Sequence, residues 1–131
     1  MHYYIHAFKN YSNFYGRATR AEFWTYQLIN VILISITISA DRALGTCFKY
    51  DMGDGVKLLP YGYIFAMYAL ATLLPTVAVQ VRRLHDIGKS GWFVFLAFIP
   101  IAGECILLVL HCVDSDAVDN KYGPNPKQQA I

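Results

Sequence analysis

Three long apolar stretches alternate with polar segments along the chain. Residues 23–40 and 58–81 contain no charged side chain, and residues 90–113 contain one, Glu104. Each stretch approaches or exceeds the roughly 20 residues that a helix needs to cross a hydrocarbon core of about 30 Å. In lipid the backbone must satisfy its own hydrogen bonds, which a single-pass segment achieves as a helix. The pattern therefore predicts an all-α integral membrane protein with three hydrophobic helical segments.

The third segment is interrupted near its centre, at residues 100–103. Two geometries fit this interruption. A single kinked span would place the polar tail, residues 114–131, opposite the charged turn at residues 82–89. A re-entrant hairpin would return the tail to the side of that turn. Residues 93–99 cover only about 10 Å as a helix, so this part cannot cross the bilayer alone.

Loop charges predict the orientation of the segments. Residues 1–22 and the turn at residues 82–89 together hold six Lys and Arg residues, against three in the loop at residues 41–57 and two in the tail. With a third span the tail joins the loop, which gives six against five, and with a hairpin it joins the turn, which gives eight against three. Cytoplasmic loops of membrane proteins carry an excess of these residues. We therefore expect a multi-pass protein of the bacterial inner membrane with its N-terminus and the turn in the cytoplasm.

Composition agrees with a membrane protein and narrows its partners. Apolar residues make up 56% of the 131 residues and charged residues 15%, whereas soluble domains carry about 25% charged residues. The net charge of +2 is too small for a nucleic-acid binder. The three cysteines lack the spacing of a metal site. We expect no metal, no cofactor and no nucleic-acid partner.

Residues 1–22 are rich in aromatic and basic side chains. Tyr4, Phe8, Tyr11 and Tyr15 recur at helical spacing, which predicts an amphipathic helix lying in the headgroup layer. The alternative is a loosely ordered arm. Thr19 and Glu22 have the spacing of a capping box. Trp24, and Trp92 further along the chain, are expected to anchor their segments at the membrane interface.

Three motifs carry a family resemblance. They are YGRATRAEFW at residues 15–24, VRRLHDIGKSGW at residues 81–92 and NKYGPNP at residues 120–126. In this order they resemble the YhaH/YhaI-like bacterial inner-membrane proteins, a family built on the domain of unknown function number 805. The resemblance implies a small multi-span membrane protein and brings no established activity with it.

The charged turn and the N-terminal segment supply the candidate binding residues. Arginine binds phosphate in a bidentate manner, and cations at one membrane face attract anionic lipid. We therefore predict that anionic phospholipid headgroups are contacted by a basic face. Its residues are Arg17, Arg20, Arg82, Arg83, His85, Asp86 and Lys89. The alternative is a purely structural turn in which Asp86 pairs with an arginine.

Catalysis has weaker support. His85 and Asp86 are adjacent, so on a helix their side chains point about 100° apart. A nucleophile motif or a metal-ligand motif is also absent from the sequence. We assign no catalytic residue and favour a non-enzymatic protein.

Two polar residues fall inside apolar segments. Asn30 is expected to face another helix, and a carboxylate such as Glu104 is costly in lipid unless it is paired, hydrated or protonated. The leading hypothesis is a protein that acts by helix association, as a homo-oligomer or within a larger membrane complex, and contacts anionic lipid. The second is a small transporter or ion-channel component that uses Glu104. The third is a lipid-modifying enzyme.

Overall fold

Helices dominate the fold. The computed structural model describes residues 5, 9, 12–51, 53 and 55–126. In chain order the elements are α1 (Arg20–Leu44), β1 (Cys47–Asp51), β2 (Val56–Gly62), α2 (Tyr63–Asp86), a 3-10 helix (Gly91–Phe98) and α3 (Ala102–Cys112). The amphipathic helix predicted in residues 1–22 rests mainly on Tyr4, Phe8 and Tyr11, which lie outside the described residues.

The two long helices, α1 and α2, have the length and the composition of membrane spans. They contain 25 and 24 residues, or about 36 Å each at 1.5 Å per residue. Only 17% of the most apolar 18-residue stretch of α1 is buried, and only 22% of that of α2. Core helices of soluble proteins bury most of such a surface, so these helices present their apolar side chains outward. Of the three predicted hydrophobic helical segments, the first two are confirmed as long apolar helices.

The helix boundaries differ from the predicted 23–40 and 58–81. The helix α1 begins at Arg20 because Thr19 caps it, with its hydroxyl accepting a hydrogen bond from the Glu22 amide at 3.2 Å. The helix α2 continues to Asp86 because the charged residues in its last turn are buried and paired. The prediction, which included only uncharged residues, therefore placed the end of α2 too early.

A β-hairpin joins α1 to α2, where a loop at residues 41–57 and the start of a helix at residue 58 were predicted. The all-α prediction is wrong in this detail. The two strands pair antiparallel, with Lys49 opposite Leu58 and Tyr50 opposite Lys57. Pro60 lies in β2, inside the stretch at residues 58–81 that was predicted to be helical.

Asp41 connects the end of α1 to the start of α2. It is fully buried, and its carboxylate accepts hydrogen bonds from the amides of Ile64 at 3.1 Å and Phe65 at 2.9 Å. These amides belong to the first turn of α2, where backbone donors have no partner within the helix. Gly62 precedes that turn, and a Cβ there would lie 2.5 Å from the Asp41 carboxylate. The glycine therefore leaves room for a capping side chain from a distant part of the chain.

The third apolar segment forms two short helices. The 3-10 helix has eight residues and α3 has eleven, so each is about 16 Å long. The chain reverses at residues 99–103, where Ile101 has a positive φ of 65°. A Cβ at Gly103 would overlap the Leu96 carbonyl, so glycine permits close packing of α3 against the 3-10 helix.

The chain divides into two compact units. One comprises Met1–Tyr26 and Leu74–Ile131, and the other comprises Gln27–Leu73. The first contains two apolar clusters, one of Phe23, Tyr26 and Val79 and one of Leu84, Ile87 and Leu107. In the second, the Tyr68 hydroxyl donates to Asn30 Oδ1 at 2.6 Å.

Candidate functional site: a buried arginine–aspartate cluster

The last turn of α2 supplies the centre of the site. Arg83 and Asp86 are three residues apart, which places them on one helix face, and both side chains are fully buried. Arg17 approaches from the segment before α1. We call Arg17, Arg83 and Asp86 the arginine–aspartate cluster.

The Asp86 carboxylate binds donors from three separate segments. Its Oδ1 accepts a hydrogen bond from Arg17 Nε at 3.0 Å. Its Oδ2 accepts from Arg83 Nη1 and from Ser115 Oγ at 2.5 Å. Charge-assisted hydrogen bonds of this kind are stronger than neutral ones, so Asp86 joins the N-terminal segment, α2 and the tail.

Arg17 uses its whole guanidinium inside the protein. Besides Nε, its Nη2 donates to the carbonyls of Asp86 at 3.2 Å and Asp116 at 2.7 Å. Its Nη1 donates to the carbonyls of Val118 at 2.9 Å and Gly123 at 3.4 Å. Arginine has five N–H donors, and these contacts engage all of them in a side chain that is 1% exposed.

Arg83 fixes the end of α3. Its Nε and Nη2 donate to the His111 carbonyl at 3.3 and 3.2 Å, and Nη2 also donates to the Val113 carbonyl. The last carbonyls of a helix have no partner within it and favour a cation. Arg83 therefore holds the end of α3 beside the end of α2.

A second buried ion pair links the two long helices within the same unit. Arg82 Nη1 lies 3.1 Å from Glu22 Oε1, and the Ala18 amide donates to the Arg82 carbonyl at 3.1 Å. The Thr19 hydroxyl thus caps α1 by accepting a hydrogen bond from the Glu22 amide, while the Glu22 carboxylate pairs with Arg82.

The tail wraps the end of α2. The Asp116 amide donates to the Asp86 carbonyl at 2.9 Å, and Asn120 Nδ2 donates to the His85 carbonyl at 2.9 Å. The His85 ring stacks on Tyr122 with centroids 3.7 Å apart. His85 and Asp86 thus contact different partners, which does not favour an acid–base pair.

The structure gathers only part of the predicted basic face into this cluster. Arg17, Arg82, Arg83, His85 and Asp86 are buried or have buried side chains, whereas Arg20 and Lys89 are exposed. Arg20 lies 3.5 Å from Asp114, and its side chain is 46% exposed. Lipid contact by the buried arginines stays a prediction.

The other predicted residues lie outside the cluster. Asn30 belongs to the unit formed by Gln27–Leu73. Glu104 is exposed in the first turn of α3, and its role in ion transport stays a prediction. Trp24 and Trp92 are 40% and 76% exposed. Among the described residues, no group of three or more His, Cys, Asp or Glu side chains has the arrangement of a metal site.

Several residues of the site were not identified from the sequence: Glu22 as an ion-pair partner, and Ser115, Asp116 and Asn120 as the tail's contacts. The tail is polar and turn-rich, but nothing in this pattern indicates which remote side chain each residue contacts. The NKYGPNP motif, which begins at Asn120, was the one local signal that this segment has a specific structure.

Comparison with known proteins identifies the family. The family model described as "Protein of unknown function (DUF805)" matches residues 11–124. The chain belongs to the DUF805 family. This match includes every residue of the arginine–aspartate cluster and its tail contacts, and it confirms the resemblance found in the motifs.

Two relatives extend over nearly the whole chain. Inner membrane protein YhaI of Escherichia coli (strain K12) is 38% identical over 127 residues, which cover 97% of each chain. Inner membrane protein YhaH of the same strain is 35% identical over 127 residues, covering 97% of this chain and 98% of YhaH. No solved structure matches. This DUF805 chain is a bacterial inner-membrane protein with two candidate spans.

Proposed function

We propose that this protein is a non-enzymatic inner-membrane protein that self-associates through α1 and contacts anionic phospholipid through exposed cations. The observation that carries the proposal is a stripe of small residues on an exposed face of α1. Ser35, Ser39 and Ala43 recur every four residues, and all three are exposed. Small residues at this spacing let two helix backbones approach closely in a bilayer.

The stripe is suited to an apolar setting. The Ser35 hydroxyl donates to the Val31 carbonyl at 2.9 Å, and the Ser39 hydroxyl donates to the Ser35 carbonyl at 2.8 Å. The hydroxyls are therefore satisfied within the helix and present a small surface. Ile32 and Ile36 are 51% and 55% exposed, so they supply apolar contact area beside the stripe.

The lipid contact is assigned to the exposed members of the predicted basic face. Arg20 and Lys89 are exposed, whereas Arg17 donates all its N–H groups to protein atoms. Each cation close to an anionic membrane surface contributes about 1 kcal/mol of attraction. In this proposal the buried cluster positions the segments that carry the exposed cations.

The two short helices fit a re-entrant hairpin. Each is about 16 Å long, roughly half of a hydrocarbon core, and Arg83 holds the end of α3 beside the end of α2. Phe98 and Ile101, near the reversal, are 81% and 79% exposed, which suits a tip inserted into acyl chains. This re-entrant hairpin returns the tail to the side of the turn at residues 82–89, which the loop charges predict to be cytoplasmic.

Native mass spectrometry of the full chain, released from nanodiscs containing phosphatidylglycerol, tests both parts. The wild-type protein is expected to give dimers or larger oligomers with retained phosphatidylglycerol. Leucine at both serines (Ser35→Leu, Ser39→Leu) should lower the oligomer-to-monomer ratio about tenfold by separating the backbones. Alanine at both positions keeps the surface small and should preserve the oligomer.

The lipid contact has its own variant. Replacing Arg20 and Lys89 with Gln should reduce retained phosphatidylglycerol while leaving the oligomer intact. A wild-type protein that remains monomeric at every protein-to-lipid ratio would contradict self-association. Equal retention of phosphatidylglycerol and phosphatidylcholine would contradict contact with anionic lipid.

A further inference from the structure

The β-hairpin carries a pocket that none of the preceding assignments uses. Its volume is about 530 Å³, within the range of pockets that hold small ligands. Its lining includes two cations, Arg42 and Lys49, and three apolar residues, Leu58, Leu59 and Pro60. All these residues belong to the unit formed by Gln27–Leu73.

The strand register explains why a cation and an apolar side chain share the pocket. Lys49 and Leu58 are directly opposite each other, and opposite residues of an antiparallel pair point to the same face. The next pair, Tyr50 and Lys57, points to the other face because side chains alternate along a strand. Lys57 is accordingly absent from the pocket lining. Leu59 lines the pocket as well, where the strand pairing becomes irregular between the Lys49–Leu58 and Cys47–Gly62 pairs.

The two cations in this pocket lack acidic partners. Arg42 and Lys49 are both exposed, and neither forms a salt bridge within the described residues. The arginines around Asp86 and Glu22, in contrast, are paired internally. The pocket is therefore complementary to an anion that comes from outside the chain.

The position of the hairpin favours a lipid as the source of that anion. The hairpin directly joins two candidate spans: β1 begins three residues after α1 ends, and α2 begins at the residue after β2. Tyr61 and Tyr63 are 45% and 63% exposed, and exposed tyrosines are enriched at the level of lipid headgroups. Leu58, 63% exposed, offers an apolar surface that a soluble anion would not use.

We infer that this pocket binds an anionic phospholipid, with its phosphate between Arg42 and Lys49 and its glycerol and upper acyl region against Leu58, Leu59 and Pro60. Arginine binds phosphate oxygens through a planar fork and lysine binds them as a point charge. This site is separate from the contact proposed for Arg20 and Lys89, and it does not depend on self-association through α1.

A photoactivatable phosphatidylglycerol, incorporated into nanodiscs with the full-length protein, tests the site. Cross-links should map to peptides containing Arg42 and residues 58–60. Replacing Arg42 and Lys49 together with Gln should reduce these cross-links by about tenfold or more, because both charge-assisted contacts to the phosphate are lost. Lys57→Gln removes a cation of the same hairpin from the other face and should leave the yield unchanged.

Further arms separate the alternatives. The exchanged variant, Arg42→Lys with Lys49→Arg, retains both charges and should retain most of the cross-linking, while circular dichroism verifies that each variant is folded. Displacement of the probe by excess inorganic phosphate would assign the pocket to a soluble anion and overturn the lipid proposal. An equal loss in Lys57→Gln would overturn it as well. In the variant with Gln at Arg20 and Lys89, the cross-links at Arg42 and residues 58–60 should persist, because the two sites are separate, and their loss would overturn this separation.

Discussion

Arg17 and Asp86 lie 69 positions apart in the chain, and their contact decides how the charged motif is used. Removing two charges from water is costly, and a buried pair contributes little net stability even in good geometry. Removal of one partner is strongly destabilising, because the remaining charge is then buried without a counter-charge. The cluster therefore acts mainly by making one arrangement of three segments much better than its alternatives.

Asp86→Asn tests this role. The substitution leaves two buried guanidinium groups beside a neutral side chain, so the free energy of unfolding should fall by about 3–5 kcal/mol. Equilibrium unfolding in detergent, followed by tryptophan fluorescence, measures the change. Glu104→Gln alters an exposed carboxylate and should change stability by less than about 1 kcal/mol. Similar stabilities for Asp86→Asn and the wild type would contradict the structural role of the cluster.

At the scale of single residues, the sequence motifs indicate which side chains belong to the site but not which atoms they contact. Arg17, Arg82, Arg83 and Asp86 were all selected from the motifs, and the structural alternative for the turn already paired Asp86 with an arginine. Their assignment to lipid rested on exposure, which a linear pattern does not determine. The carbonyls that bind Arg17 come from loop backbone, whose position depends on the tertiary fold.

At the scale of elements, the amide donors at the start of α2 are satisfied by Asp41 from the end of α1. This arrangement makes the start of α2 depend on the end of α1. An uncharged run predicts that a helix is present, because lipid leaves the backbone few alternatives. It does not fix the ends, since a charged residue that is buried and paired can continue a helix or cap another one.

Asp41→Ala should loosen the first turn of α2. Loss of a capping carboxylate costs about 1–2 kcal/mol, so the Ile64 and Phe65 amides should exchange with deuterium roughly tenfold faster. Hydrogen–deuterium exchange in nanodiscs, resolved to peptides, measures this effect. Asp51→Ala removes an exposed carboxylate that accepts from the Gly53 amide in the hairpin turn and should leave the α2 amides unchanged. Unaltered exchange in Asp41→Ala would show that another group caps the helix.

At the scale of the whole molecule, the number of membrane crossings depends on the third apolar segment. Length alone predicted a third helical region, and its central break left a kinked span and a hairpin equally open. The contact of Arg83 with the His111 carbonyl brings the end of α3 back to the end of α2. Such a contact between distant residues is not encoded in hydrophobic periodicity, so the sequence did not distinguish the two geometries.

Labelling of single cysteines in intact cells tests the proposed topology. In a background without Cys47, Cys105 and Cys112, a membrane-impermeant maleimide should label Lys57→Cys in the β-hairpin between α1 and α2. It should not label Lys89→Cys or Lys121→Cys until the membrane is permeabilised, because the turn is predicted to be cytoplasmic and the proposed re-entrant hairpin returns the tail to the same side. Labelling of Lys121→Cys in intact cells, with Lys89→Cys protected, would instead support a third span.

The late position of the tail contacts has a consequence for biosynthesis. Arg17 and Arg20 leave the ribosome well before their partners exist, because Arg17 pairs with Asp86 and the tail carbonyls and Arg20 pairs with Asp114. During translation, at about 5–20 residues per second, these guanidinium groups must stay hydrated or bound to headgroups. The insertion machinery therefore handles a nascent chain whose first arginines gain their protein partners only after most of its residues have been joined.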